Sequence, residues 1–166
     1  MTDHSAFGLV RRGRTRVLEA GEAVEALSAG KRFPETVLPY GNGRSYGDTC
    51  LNDAGALIDM RSMSRILAFD AGSGLLSAET GLMLSDLIAY VAPRGWFPAV
   101  VPGTKFVTLG GAIANDVHGK NHHRRGTFGC HVVSLTLLRS DGSVSRCSAT
   151  ENADLFRATI GGMGLT

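Results

Sequence analysis

No run of this 166-residue sequence approaches the roughly 20 apolar residues that crossing a bilayer requires. Any membrane contact is therefore expected to be peripheral. The N-terminus carries arginines with no apolar stretch after them, so no secretory signal peptide is expected. Cysteine is scarce: Cys50, Cys130 and Cys147 cannot all pair and show no CxxC spacing. They read as free thiols in a reducing compartment, which places the protein in the cytoplasm, at most peripheral to a membrane. Charge of one sign is also lacking. A net charge of +2 gives no footprint for nucleic acid, and no nucleic-acid partner is expected. The single basic cluster is Arg11 to Arg16, four arginines in six residues, read as a solvated N-terminal arm.

What the sequence has in excess is glycine. The 22 glycines are nearly twice the average usage of about 7%. Many gather in three places, Gly41 to Gly47, Gly103 to Gly119 and Gly161 to Gly164. Only glycine lets a main chain approach so closely or take positive φ freely, so this clustering points to backbone brought against a ligand. The remaining 43% hydrophobic and 19% charged content is that of an ordinary globular chain, long enough for one domain or two small lobes.

Periodicity predicts a helix over Glu22–Ala29 stopped by Gly30, then a strand over Thr36–Tyr40. Short strands follow over Ala56–Met60, Ile66–Phe69 and Leu75–Glu79, then a helix over Leu84–Val91, capped between Thr80 and Ser85. Phe97–Val101 reads as a further strand and VTLGGAIAN, from Val107, as a short helix. Val132–Arg139 and Ser143–Ser148 form a hairpin about Asp141-Gly142, and Asn152–Ile160 is an amphipathic helix with Leu155, Phe156 and Ile160 on one face.

Three segments hold chemistry-bearing residues. The first, Tyr40-Gly41-Asn42-Gly43-Arg44-Ser45-Tyr46-Gly47-Asp48, directly follows a strand, and successive amides in such a loop form a nest for phosphate oxygens. Gly41-x-Gly43 also begins like a dinucleotide fingerprint, and Gly43-Arg44-Ser45-Tyr46-Gly47 matches the G-x-S-x-G elbow of serine hydrolases, with Ser45 as nucleophile. Both of those motifs need a helix directly behind the loop, and SYGDTCLNDAG has no helical period. The second segment runs from Gly103 and Thr104 through Thr108, Leu109, Gly110, Gly111, Asn115, Asp116, Val117 and His118, small enough to lie against a flat ring and a pyrophosphate, with a tightly packed helix between glycine turns as the plainer alternative. The third, His118-Gly119-Lys120-Asn121-His122-His123, invites a metal reading, but no cysteine or carboxylate completes a ligand set, and no metal is expected.

Taken in order, GNGRSYGD, PGTKFVTLGGAIANDVHGKNHH, GTFGCHV and LFRATIGGMGLT resemble the PCMH-type FAD-binding domain of the vanillyl-alcohol-oxidase superfamily. Within it they most resemble the decaprenylphosphoryl-β-D-ribose 2′-oxidase branch; the likeness runs from about residue 36 onward. The resemblance implies an α+β fold in two subdomains, about 1–98 and about 99–166, with the second incomplete and the substrate domain absent. It implies FAD, held along Tyr40 to Asp48, where Gly41, Asn42, Gly43, Arg44 and Ser45 supply donors. Gly103, Thr104, Thr108 to Gly111 and Asn115 to His118 line the rest, with Tyr46 and His118 near the isoalloxazine and substrate. Arg44 stands where many relatives carry the histidine that bonds flavin, so FAD is expected to be non-covalent; His118 and Cys130 are the other side chains such a bond could use.

The activity implied is hydride transfer from a secondary alcohol of a sugar or lipid-linked sugar, with a partner reductase completing a two-step epimerisation. Such a reaction needs a base within hydrogen-bond reach of the hydroxyl, and an imidazole, titrating ordinarily near pH 6.5, suits the task at His118. A non-catalytic FAD- or nucleotide-binding fragment is the alternative reading.

Overall fold

A computed structural model describes residues 4–9 and 15–166. The chain is a mixed helix and strand fold. It opens with β1 (Arg16–Glu19), α1 (Ala20–Ser28), β2 (Val37–Tyr40) and β3 (Ala56–Asp59), and the three strands form a parallel sheet in the order β1-β3-β2. In register, Leu18 and Pro39 both face Ile58, and Glu19 and Tyr40 both face Asp59. The centre strand is a short apolar run, with Ala56, Leu57 and Ile58 all buried, as a parallel strand covered on both faces requires. Pro39, which has no N–H to give a ladder, is tolerated because β2 is an edge.

α1 starts where the Glu19 carboxylate accepts from the amides of Gly21 and Glu22. It stops at Gly30, whose φ of 78° takes the left-handed turn. Ala20 and Ala23 pack on Ile58, with Leu18, Phe33, Val37, Met60 and Met63 around them.

A second core lies farther along the chain. β4 (Ile66–Phe69) and β5 (Leu76–Ala78) pair antiparallel, and α2 (Leu84–Val91) buries Leu84, Leu87 and Val91 at helical spacing. Ala112 of α3 (Leu109–Ala114) joins that cluster, together with half-buried Val107, Leu109, Val117 and Phe128. α4 (His122–Arg125) is a single turn, and β6 (Ser134–Leu138) with β7 (Val144–Ser148) makes the hairpin. The turn at Gly142, φ 85°, lies so close to α1 that an added Cβ would meet the Leu27 carbonyl at 2.6 Å. α5 (Ala153–Thr159) buries Phe156, with Leu155 and Ile160 half-buried.

Three expectations need correction. Phe97–Val101 is not a strand but irregular chain. Pro98 and Pro102 remove two ladder donors there, and the Ala99 carbonyl accepts instead from Asn121 Nδ2 at 3.0 Å. Arg16 is not part of a free arm, since it opens β1 and pairs with Glu35 at 2.7 Å; Arg11, Arg12 and Arg14 lie outside the described residues. The residue at the start of α2 is Met83, which offers no side-chain cap. Main-chain carbonyls of Val107 and Lys105 take the amides of Leu84 and Ser85 instead, both at 2.9 Å.

Candidate cofactor site

β2 delivers Tyr40, only 2% exposed, to the mouth of the first glycine loop. No helix follows; residues 41 to 55 are turns and bends. Neither the dinucleotide fingerprint nor the serine-hydrolase elbow is therefore built, because each needs a helix opening behind its last glycine. Gly43 turns the loop at φ 59° and is itself buried, and Gly47 repeats the left-handed conformation at φ 67°.

The loop's amides set it apart. Among the described residues, no backbone N–H from Gly41 to Gly47 donates to protein. Seven consecutive donors are left without a protein acceptor, and successive free amides in a glycine turn are the kind of backbone that takes phosphate oxygens. The loop's side chains are differently placed. Asn42 Nδ2 donates to the Phe106 carbonyl at 2.9 Å, and Arg44 Nη1 donates back to the Asn42 carbonyl at 2.9 Å. Ser45 is half-buried, and Tyr46 stands 87% exposed with its ring edge-on to Phe7. Asp48 keeps a buried carboxylate oxygen, Oδ1, without a hydrogen-bond partner.

The second glycine segment meets the first. An added Cβ at Gly41 would lie 2.4 Å from Thr108 Oγ1, so glycine at 41 is what lets the two segments touch. Thr108, 2% exposed, caps α3 through that same oxygen, which accepts the Gly111 amide at 3.1 Å. The other leading amides of α3 are also engaged: Leu109 with the Leu82 carbonyl, Gly110 with that of Thr80, both at 2.7 Å, and Ala112 with that of Thr108 at 2.8 Å. This helix start holds no donor in reserve.

Downstream, Asn115 Nδ2 folds back to the Gly111 carbonyl at 2.9 Å. Asp116, at φ 41°, accepts the Gly129 amide at 2.8 Å, and Val117 packs into the second core. Gly103 faces open space, and Thr104 Oγ1 accepts the Phe106 amide at 3.1 Å. His118 is exposed, bridges to Thr127, and sets its ring 5.3 Å from that of His122, whose Nδ1 lies 3.1 Å from the Gly119 carbonyl. Among the described residues no hydrogen bond or ring contact joins Tyr46 to His118. Among the described residues no group of three or more histidine, cysteine, aspartate or glutamate side chains gathers as a metal would need, and no helix is long and apolar enough to cross a membrane.

Sequence reasoning missed the contacts that reach the two glycine segments from elsewhere. Ser5, Phe7, Thr80 and Leu82 lie outside the three motifs, and nothing in their spacing signals the contact. A cavity of about 350 Å³ lined by Glu19, Asp59, Arg61 and Ser62 sits at the carboxyl end of the parallel sheet. Its two carboxylates are already engaged. Ser62 donates to Glu19, and Asp59 accepts from Arg61 Nε at 2.8 Å and Nη2 at 2.6 Å. Burial pushes the Asp59 carboxyl up, but the hydrogen bonds from Arg61 and His4 outweigh that and hold it well below the usual carboxylate range.

The pattern of a family described as FAD binding domain matches residues 16–148. The chain is 47% identical over 131 residues to decaprenylphosphoryl-beta-D-ribose oxidase of Mycolicibacterium smegmatis, covering 78% of this chain and 28% of that protein. It is 33% identical over 138 residues to L-gulonolactone oxidase of Mus musculus, covering 83% and 31%. With cytokinin dehydrogenase 7 of Oryza sativa it shares 26% over 142 residues, covering 83% and 27%. The chain thus spans less than a third of the length of these curated relatives.

Proposed function

The chain belongs to the FAD binding domain family, and from that premise we propose that it is the FAD-holding part of an oxidoreductase acting on a CH–OH group of a sugar or lipid-linked sugar. FAD is the cofactor. The observation that carries the reading is the row of seven unengaged amides from Gly41 to Gly47, in a loop locked against the second glycine segment. The residues fit the group. A pyrophosphate presents several anionic oxygens and no donors, which matches a loop whose amides have no protein acceptor. Asp48 Oδ1, buried and unpartnered, is an acceptor beside them, suited to a hydroxyl and not to phosphate. Two separate cores, one around Ile58 and one around Leu84, support the two-lobed arrangement.

In this reading Gly41 to Gly47 hold the pyrophosphate, Asp48 accepts from a hydroxyl of the cofactor, and Gly103, Thr104, Thr108 to Gly111 and Asn115 to His118 flank the remainder. When bound, FAD would supply the hydride acceptor, and the protein would supply position and proton transfer. His118, exposed beside the second segment, takes the proton from the substrate hydroxyl on a ring nitrogen, and exposed Tyr46 helps to orient the substrate. The sugar class rests on the two oxidases named above, which act on a ribose derivative and on a lactone by their names. A second enzyme, a reductase, would complete an epimerisation. FAD is held without a covalent bond, because the loop offers Arg44 and no histidine.

The test is the visible spectrum of the purified chain before and after acid precipitation. A yellow protein releasing FAD to the supernatant is expected. A yellow pellet would overturn the non-covalent assignment and point to His118 or Cys130. A colourless protein that takes up no added FAD would overturn the cofactor-holding role of this chain.

A further inference from the structure

Residues 4–9 lie more than thirty positions before the glycine loop, yet they are built into it. Tyr40 Oη donates to the Ser5 carbonyl at 2.8 Å. An added Cβ at Gly43 would stand 2.1 Å from that same carbonyl and 2.4 Å from Tyr40 Oη, so the loop's left-handed turn presses directly on this bond. Ala6 is 1% exposed, and the Phe7 ring meets the Tyr46 ring edge-on at 5.9 Å. The segment is moored at its other end. The His4 ring lies 5.1 Å from that of Tyr40, and its Nε2 is 2.8 Å from Asp59 Oδ2 and 3.2 Å from Arg61 Nη2. Arg61 in turn fixes Asp59 through two hydrogen bonds and lies over the Tyr40 ring at 5.6 Å.

We propose that residues 4–7 are a strap that holds the 41–47 loop in its FAD-competent shape, with His4 and Tyr40 as positioning residues; this rests on the cofactor reading above. The physical need is plain. Seven consecutive amides make no bonds to the fold, so the loop has no hydrogen-bond ladder of its own to hold it. Its shape depends on the few contacts made through Gly41, Asn42, Gly43 and Tyr46. Two of those four, Gly43 and Tyr46, are made with the strap. A strap of this kind raises the fraction of molecules whose loop is ready to bind, and apparent affinity scales with that fraction.

Tyr40→Phe keeps the ring and removes the hydroxyl that bonds Ser5, while His4→Ala unmoors the strap. FAD binding would be followed by stopped-flow quenching of flavin fluorescence, with 15N relaxation of residues 41–47 in the FAD-free protein. Each variant is expected to weaken FAD binding about 5- to 20-fold through a slower association rate at nearly constant dissociation rate, and to lower the order parameters of 41–47. Cys147→Ala, a core change in β7 away from the strap, serves as the stability control and should leave both readouts alone. Unchanged association rates and order parameters, with only thermal stability lowered, would reduce the strap to ordinary packing and overturn the proposal. Loosening of the loop in a protein that binds no FAD at all would uphold the strap while the cofactor reading fails, and a faster dissociation rate alone would make Tyr40 a ligand contact instead.

Discussion

The two glycine-rich segments look alike in composition and differ in how their amides are used. From Gly41 to Gly47 no amide reaches a protein acceptor among the described residues, whereas the first four amides of α3, Leu109 to Ala112, are all engaged. Glycine in the first segment frees donors and sets left-handed turns at Gly43 and Gly47. In the second it removes bulk, at Gly110 against Thr80 and at Gly111 against Thr108. Glycine density signals closeness; only the bookkeeping of donors tells whether the close partner is protein or ligand.

The largest effect expected on this contrast comes from Gly43→Ala. The new Cβ meets the Ser5 carbonyl at 2.1 Å, in a conformation costing an L residue about 1–2 kcal/mol before any clash. FAD titration monitored by flavin fluorescence should show binding weakened at least about 100-fold. Gly41→Ala should come next, because it pushes on Thr108 Oγ1 and disturbs the loop and the α3 cap together. About 10-fold weaker FAD binding is expected, with a lower Tm.

Gly110→Ala sharpens the comparison from the other side. Its Cβ would stand 2.9 Å from Thr80 Cβ, a tight contact costing about 1–2 kcal/mol that calorimetry would register. FAD affinity of the folded protein should stay within about threefold; a large loss would mean that α3 serves the cofactor as directly as the loop does.

Acid should act on the parallel sheet whose β2 leads into the loop. Asp59 has a depressed folded-state pKa, so its contribution to stability is present above the unfolded value and is lost as pH falls below about 4. Urea unfolding between pH 3 and 7 should show that loss, and Asp59→Asn should flatten it. The smallest effect belongs to Gly103→Ala, which meets nothing within 4 Å and should change stability by less than about 0.5 kcal/mol. A drop in FAD affinity there would assign the open space to the cofactor.

Much of this was legible in the sequence where the signal is local. Leu84–Val91 is a helix because Leu84, Leu87 and Val91 recur on one face, and Ile66–Phe69 is a strand with its expected limits. The failure of the two rival motifs was legible too, because the helix each requires could be seen missing behind Gly47, and turns and bends occupy that stretch. What failed depends on distant partners. Arg16 belongs to a strand only because β3, forty residues on, offers its edge, and the arginine run hid that. Phe97–Val101 has strand composition, but its Ala99 carbonyl is taken by Asn121 and Gly119 packs close against its Val101 carbonyl. The strap carries no motif, since a carbonyl at Ser5 and a ring at Phe7 are contacts of position alone.

The most direct test of the central claim is amide hydrogen exchange, resolved by residue, with and without FAD. Open amides exchange fast, and a ligand that accepts from them slows them. The account predicts strong slowing from Gly41 to Gly47 on FAD binding, with little change in amides of α3 that are already engaged. Protection appearing in Leu109 to Ala112 while 41–47 still exchange freely would contradict it.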